Sequence, residues 1–471
     1  MSVLNTLSLF ISNLVSTLGA ALLLPILIFL FAVIAGVKAS KAFRAALYIA
    51  IGLTTLWWVL NPFIGQVGQA VSDMVKNTKI NLPYVDVGWP FAASVSFSTI
   101  IGALIIPIGI GVNLLMLWLK WTDTFDIDLW NFWLWAYVGS MTYYATKNVL
   151  YGLLAAIAIE IMSLILADMT APLIQKFYNL PGLSFPHVNG QGTTFLAIPL
   201  NWLLDKIGLN KIQIDAATIR KRFGVLGDSV VMGFILGIFI ALLAWGRTKT
   251  TTLAGWTSII GTGIVTAGAI YLFPKVVSAL MDGLVPLSEG VREALKRRGV
   301  KKELYLGMDA ALAVGNETVI AVGLLTIATI IPLTFILPGN RFLPLADLGV
   351  HIFFFITVGV AITGGNIIKG YIVSVISTII GLYTATWTAP MFTKIVVSLG
   401  KTLPQGVQGV QAMCLGANPF ANFYYFFSRT PLGLVLLFAF DFVILFSFRK
   451  NKKLWYKLVG YVENESQRDK G

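Results

Sequence analysis

Long stretches without a single Asp, Glu, Lys or Arg recur from one end of this chain to the other. Residues 1–37, 45–72, 87–119, 229–246, 250–274, 318–340 and 370–393 are all free of charge. About twenty apolar residues suffice to cross a bilayer as a helix, and a soluble α/β protein does not repeat such runs. Across the whole chain 57% of residues are hydrophobic and 12% charged, against about 25% charged in soluble domains. The sequence therefore predicts an all-α polytopic membrane protein.

The net charge of +13 could point to nucleic acid, but the basic residues sit in short clusters between apolar runs, as the positive-inside rule produces. Lys38, Lys41 and Arg44 form one cluster. Lys206, Lys211 and Arg220 to Arg222 form a second, Arg292 to Lys302 a third, and Arg449 to Lys453 a fourth. Placing all four in the cytoplasm puts the N-terminus outside, the C-terminus inside, and requires an odd number of spans. The expected spans are 13–36, 46–70, 101–119, 129–146, 148–168, 228–246, 252–280, 319–337, 348–364, 369–390 and 431–448, about eleven in all. No Lys or Arg precedes the first apolar stretch, so it reads as a span and not as a cleavable leader.

Two regions look alike. Asp86 precedes an apolar run containing Pro107, followed by Asp126 and Asp128. Asp309 precedes a run containing Pro332, followed by Asp347. The expected topology starts the first copy outside and the second inside. Inverted repeats of this kind build carriers whose substrate sits near the bilayer midplane, between interrupted helices. Residues 84–169 and 306–390 are thus expected as two core repeats of one membrane-embedded domain. Their openings, 84–100 and 306–318, are expected as re-entrant hairpins, since non-helical backbone at membrane depth is tolerated only inside protein. Ordinary connecting loops are the alternative. The more polar segment 170–227 between the repeats is expected to be cytoplasmic or folded back, with an interfacial helix at 195–206.

Ionisable and amide side chains in such surroundings suggest function or pairing. Asp86 and Trp89 in the first hairpin, with Asp309, Asn316 and Glu317 in the second, suit a polyol or sugar. Carboxylates and amides serve hydroxyls, and an indole covers C–H faces. The two aspartates could instead be helix N-caps. His187 and Gln191 lie in a run of small and polar residues, 185–194, able to approach a ligand closely; a surface loop is the alternative. Asn131 and Asn366 are weaker candidates, the latter beside Gly364 and Gly365 at a break between spans. His351 is expected at an interface, Lys369 snorkelling, and Glu160 and Asp441 bonded to neighbouring helices.

Several classes are excluded. No Gly-rich loop ending in Gly-Lys-Ser or Gly-Lys-Thr cradles a nucleotide phosphate. Two histidines and the single Cys414 build neither a usual zinc site nor a disulfide framework, and no cofactor is expected. An ion-coupled sugar carrier remains as a rival. A membrane-embedded enzyme would need acids or histidines clustered at one interface, whereas the candidates here are split between two hairpins.

At these motifs the chain resembles the galactitol-type enzyme IIC of the bacterial phosphoenolpyruvate-dependent sugar phosphotransferase system, in the ascorbate–galactitol superfamily. The resemblance rests on residues 85–90, 126–131, Phe185-Pro186-His187, Arg222-Phe223-Gly224 with Gly227, Met281 to Leu284, Gly307 to Ala310, Pro338 to Asn340, and Asp347-Leu348. It implies a homodimeric carrier in the bacterial cell membrane, with a substrate-holding core, a dimerising domain and elevator-like alternating access. It also implies that separate IIB and IIA subunits supply the phosphate. Cys414 is then not the phosphorylated cysteine, which belongs to IIB. The basic segments 206–222 and 292–302 would either dock these partners or set topology alone.

Overall fold

The computed structural model describes residues 25–26, 28–30, 32–34, 36–77, 82–126, 128–212, 214, 229–297, 304–344, 346–403 and 407–461. Most of the expected first span, the basic residues 220–222 and 298–302, and the segment 222–227 lie outside the described residues.

Six described helices contain a segment long and apolar enough to cross a membrane: Ile100–Trp118, Val149–Tyr178, Leu253–Leu272, Glu317–Ile336, Ile367–Ser398 and Pro431–Lys450. At 1.5 Å rise per residue a twenty-residue helix covers about 30 Å, the hydrocarbon thickness. Helices Ala39–Asn77, Leu129–Thr146 and Ser229–Trp245 occupy three further expected spans without joining those six. The stretch expected as one span over 348–364 is interrupted. It forms Leu348–Phe355 and Thr357–Ile362, then a turn through Gly364 and Gly365, both at positive φ.

Helix starts leave unpaired amides that lipid cannot satisfy, and short polar side chains answer this. Thr99, Asn148, Asn316, Asn366 and Thr430 each precede a spanning helix, and each side chain accepts a hydrogen bond from an amide of the first turn. Helices Leu129–Thr146 and Val149–Tyr178 meet backbone to backbone. A Cβ on Gly139 would lie 2.5 Å from the Gly152 carbonyl oxygen, and one on Gly152 would lie 2.8 Å from that of Gly139. Small residues permit this close approach, which drives helix association where no hydrophobic effect operates.

Six short strands lie among the described residues: β1 (Tyr84–Asp86), β2 (Thr124–Asp126), β3 (Leu183–Ser184), β4 (Tyr305–Gly307), β5 (Phe342–Leu343) and β6 (Gly409–Gln411). They form two parallel three-stranded sheets, ordered β5-β1-β6 and β2-β4-β3. The first strand of each half is thus flanked by two strands of the other half. Both central strands open on a tyrosine and run into a short helix, Trp89–Phe97 or Ala311–Val314, and then a long one. None of these strands was expected from the sequence.

Candidate functional site

Parallel sheets present the carboxyl ends of their strands together, and ligands of such sheets gather there. A cavity of about 50 Å³ lies where the ends of the two sheets meet, and each strand supplies a lining residue just beyond its end. Trp89 follows β1, Trp130 follows β2, His187 and Asn189 follow β3, Asp309 follows β4, Asp347 follows β5 and Cys414 follows β6. Trp133, Leu134, Val350, His351 and Phe354 complete the wall. This space is several times what one water needs. Its walls combine indole and phenyl faces with carboxylates, an amide and imidazoles.

Crossed hydrogen bonds hold the two sheet ends. Asp86 Oδ1 accepts from the amides of Gly88 and Met413, and Oδ2 accepts from the amide of Asp347 at 2.6 Å. Asp347 in turn accepts from the amides of Trp89 (2.8 Å) and Cys414 (3.4 Å). In the other sheet Asp126 accepts from the Asp128 amide and from the Asn131 side chain. Asp128 accepts from the Trp130 and Asp309 amides at 3.0 Å, and Asp309 accepts from the amide of Ala311.

The run 185–194 folds back into the core. Gly190 donates its amide proton to His187 Nδ1 at 3.1 Å, so in the neutral ring the proton sits on Nε2. That nitrogen faces Asp309 Oδ1 at 3.4 Å. Glycine is required at 190, because a Cβ there would lie 2.6 Å from that of Ala310. His187, Asp128 and Asp309 belong to connecting segments outside the spanning helices. Burial pushes the imidazole down to about 4. Burial also raises the carboxyl of Asp309, and burial together with the charge of Asp309 raises that of Asp128. The site thus holds a neutral histidine that donates, beside two carboxyls that retain protons more readily than in water.

Of the residues singled out in the sequence, the fold brings Trp89, His187 and Asp309 together on the cavity wall. Asp86 is 3% exposed and engaged behind that wall, through the amides it accepts from. Asn131 braces Asp126. Gln191 donates to Thr170 and to the Phe185 carbonyl and accepts from Thr194, fixing the histidine loop. Asn316 caps Glu317–Ile336, with Glu317 in the first turn. Asn366 caps Ile367–Ser398 and lines a second, polar cavity with Asp205, Asn210, Thr363 and Lys369.

Four side chains depart from or refine their expected roles. Lys369 does not snorkel: it is buried and donates to Asn201 (2.7 Å) and Asp205 (2.9 Å). Neither carboxylate oxygen of the buried Glu160 has a hydrogen-bond partner among the described residues, whereas Asp441 accepts from the Tyr424 hydroxyl. His351 is not interfacial but 1% exposed, on the cavity wall. Sequence reasoning also passed over Trp130, Trp133, Asn189 and Asp347 as lining residues. One signal was present: Asp347, Val350, His351 and Phe354 recur at i, i+3, i+4 and i+7, one face of a helix.

Residues 13–406 match the EIIC-GAT family, described as PTS system sugar-specific permease component. The chain is similar to the "PTS system galactitol-specific EIIC component" of Escherichia coli (strain K12), 31% identical over 403 residues, covering 85% of this chain and 87% of that protein. It is also similar to a "Putative permease IIC component" of the same strain, 33% identical over 401 residues, covering 85% and 90%. With six apolar helices able to cross a membrane among the described residues, these matches indicate a multi-pass cell-membrane protein that works with IIA and IIB components on a sugar. The chain belongs to the EIIC-GAT family of sugar-specific permease components of the phosphotransferase system.

Proposed function

We propose that this protein is the translocating subunit that captures an alditol such as galactitol, or a closely related sugar, and delivers it inside the cell for phosphorylation by a separate IIB protein. The observation that carries this reading is the cavity where two interlocked sheets meet, lined by Asp309 and Asp347 together with Trp89 and Trp130, whose rings meet edge to face. The interleaving of strands between residues 84–206 and 305–450 supports two repeats of opposed orientation, the architecture in which carriers bind at the midplane. In this reading the Nε2 proton of His187 holds a substrate hydroxyl. Asp309 accepts from that hydroxyl and orients it for the incoming phosphoryl group. A homodimer with an elevator-like motion of the core belongs to the same proposal.

Inverted vesicles or proteoliposomes containing the protein test it, supplied with phosphoenolpyruvate and the soluble phosphotransfer proteins. Galactitol phosphate forming on the IIB side is the expected product. Accumulation of free alditol driven by an ion gradient, with no phosphate ester, would overturn the reading in favour of an ion-coupled carrier.

A further inference from the structure

Helix Leu348–Phe355 presents Asp347, Val350, His351 and Phe354 to the cavity. At 1.5 Å per residue, His351 stands about 6 Å along the helix from Asp347. Phe354, a turn further on, packs against His187 with ring centroids 6.1 Å apart. His351 therefore occupies the wall between Asp347 and Phe354, whose ring meets His187.

Its ring is held from behind by stacking on Phe355, centroids 4.8 Å apart and planes 27° apart. Neither of its nitrogens has a hydrogen-bond partner among the described residues. A buried imidazole without partners costs free energy, and such a group calls for a physical reason. The Oδ1 of Asn189 and the Nε1 of Trp130, on the same cavity, are also unpartnered. The residues that carry these unsatisfied atoms thus border one small space, while Asp86, Asn316 and Asn366 accept from backbone amides.

We infer that His351 reads a secondary hydroxyl in the interior of the substrate chain and so decides which epimer the permease accepts. A neutral imidazole offers one donor and one acceptor, matching the two capacities of a hydroxyl. Inverting that carbon moves the hydroxyl away from the ring and leaves the imidazole unpaired. This inference rests on the alditol reading and assigns the specificity within it.

The test is binding of galactitol, its monodeoxy analogues, glucitol and mannitol to the purified full chain, wild type against His351→Phe and His351→Gln. Phenylalanine keeps the stack on Phe355 and removes both polar atoms; glutamine keeps a donor and an acceptor. Galactitol should bind His351→Phe about 10- to 100-fold more weakly than wild type, with His351→Gln in between. One analogue lacking an interior hydroxyl should bind wild type and His351→Phe equally. If His351→Phe, folded by its thermal transition, binds every alditol as wild type does, the inference is overturned while the alditol reading stands. If His351→Phe does not fold, His351→Gln decides: unchanged preference among the epimers overturns the inference. Wild-type protein that binds no alditol overturns both.

Discussion

The backbone amide of Asp347 donates to Oδ2 of Asp86 at 2.6 Å across 261 residues of sequence, while the Asp347 carboxylate accepts from the amide of Trp89. This reciprocal clasp fixes the cavity wall on the side of the first sheet. Asp86→Ala would strand the amides of Gly88, Met413 and Asp347 in a buried site. Each unsatisfied group costs about 1–3 kcal/mol, so the loss should reach several kcal/mol. A much lower detergent-solubilised melting temperature is the expected outcome, with Asp86→Asn retaining part of the stability.

Asp309→Ala should lower phosphorylation-coupled uptake by about 100-fold or more, the usual worth of a positioned acid–base group. His187→Ala should also lower it, with the larger effect on substrate affinity, because its ring donates and does not accept at Nε2. Rates and half-saturation concentrations in the vesicle assay separate the two. Wild-type uptake by Asp309→Ala would remove this carboxylate from the chemistry.

The raised Asp309 carboxyl predicts a stability effect of definite sign. The folded protein holds this proton up to about pH 6, whereas the unfolded chain releases it near 3.8. The folded state thus binds more protons between these values, and stability falls as pH rises through that window. The lowered imidazole of His187 contributes the opposite slope over much of this window, so the Asp309 contribution is read as the difference between the wild-type and Asp309→Asn profiles of thermal unfolding in detergent, wild type losing more stability as pH rises.

Arg449 donates to Asp123 (2.6 Å) and Asp168 (2.7 Å), and Lys452 also reaches Asp123. Arg449→Met would leave Asp168, 1% exposed, without its cation. Breaking a buried pair from one side costs about 3–5 kcal/mol. The expected result is poor folding, partly rescued by the double variant Arg449→Met, Asp168→Asn; failure of the rescue would argue against the pairing.

Much of the helical skeleton was legible because lipid imposes a simple rule: charge-free runs of sufficient length become spans. The break at Ile356 inside the stretch 348–364 was not, since an apolar sequence reads the same whether a helix is straight or interrupted, whereas Gly364 and Gly365 marked the next break in the sequence itself. The strands escaped notice for a related reason. Two or three residues such as Leu183–Ser184 carry no periodicity, and their pairing is decided by partners over a hundred residues away. Polar residues were found, but their tasks were not separable by type. Asn316 and Asn366 each precede an apolar run, which is a capping signature as much as a hint of a ligand. His187 stood out through its glycine-rich neighbours, while His351, at the start of an expected span and shortly before Phe353 and Phe354, read as an interfacial residue.

The interleaved sheets also bear on biogenesis. β1 emerges from the ribosome long before β5 and β6 exist to flank it. At about 5–20 residues per second, the 261 residues between Asp86 and Asp347 take roughly 13–50 s to make. During that interval the first half waits in the bilayer with the edges of its central strand unmatched, a state that a translocon or insertase would have to shelter. Neither half can reach its mature form by itself, so assembly closes only when the last third of the polypeptide has arrived.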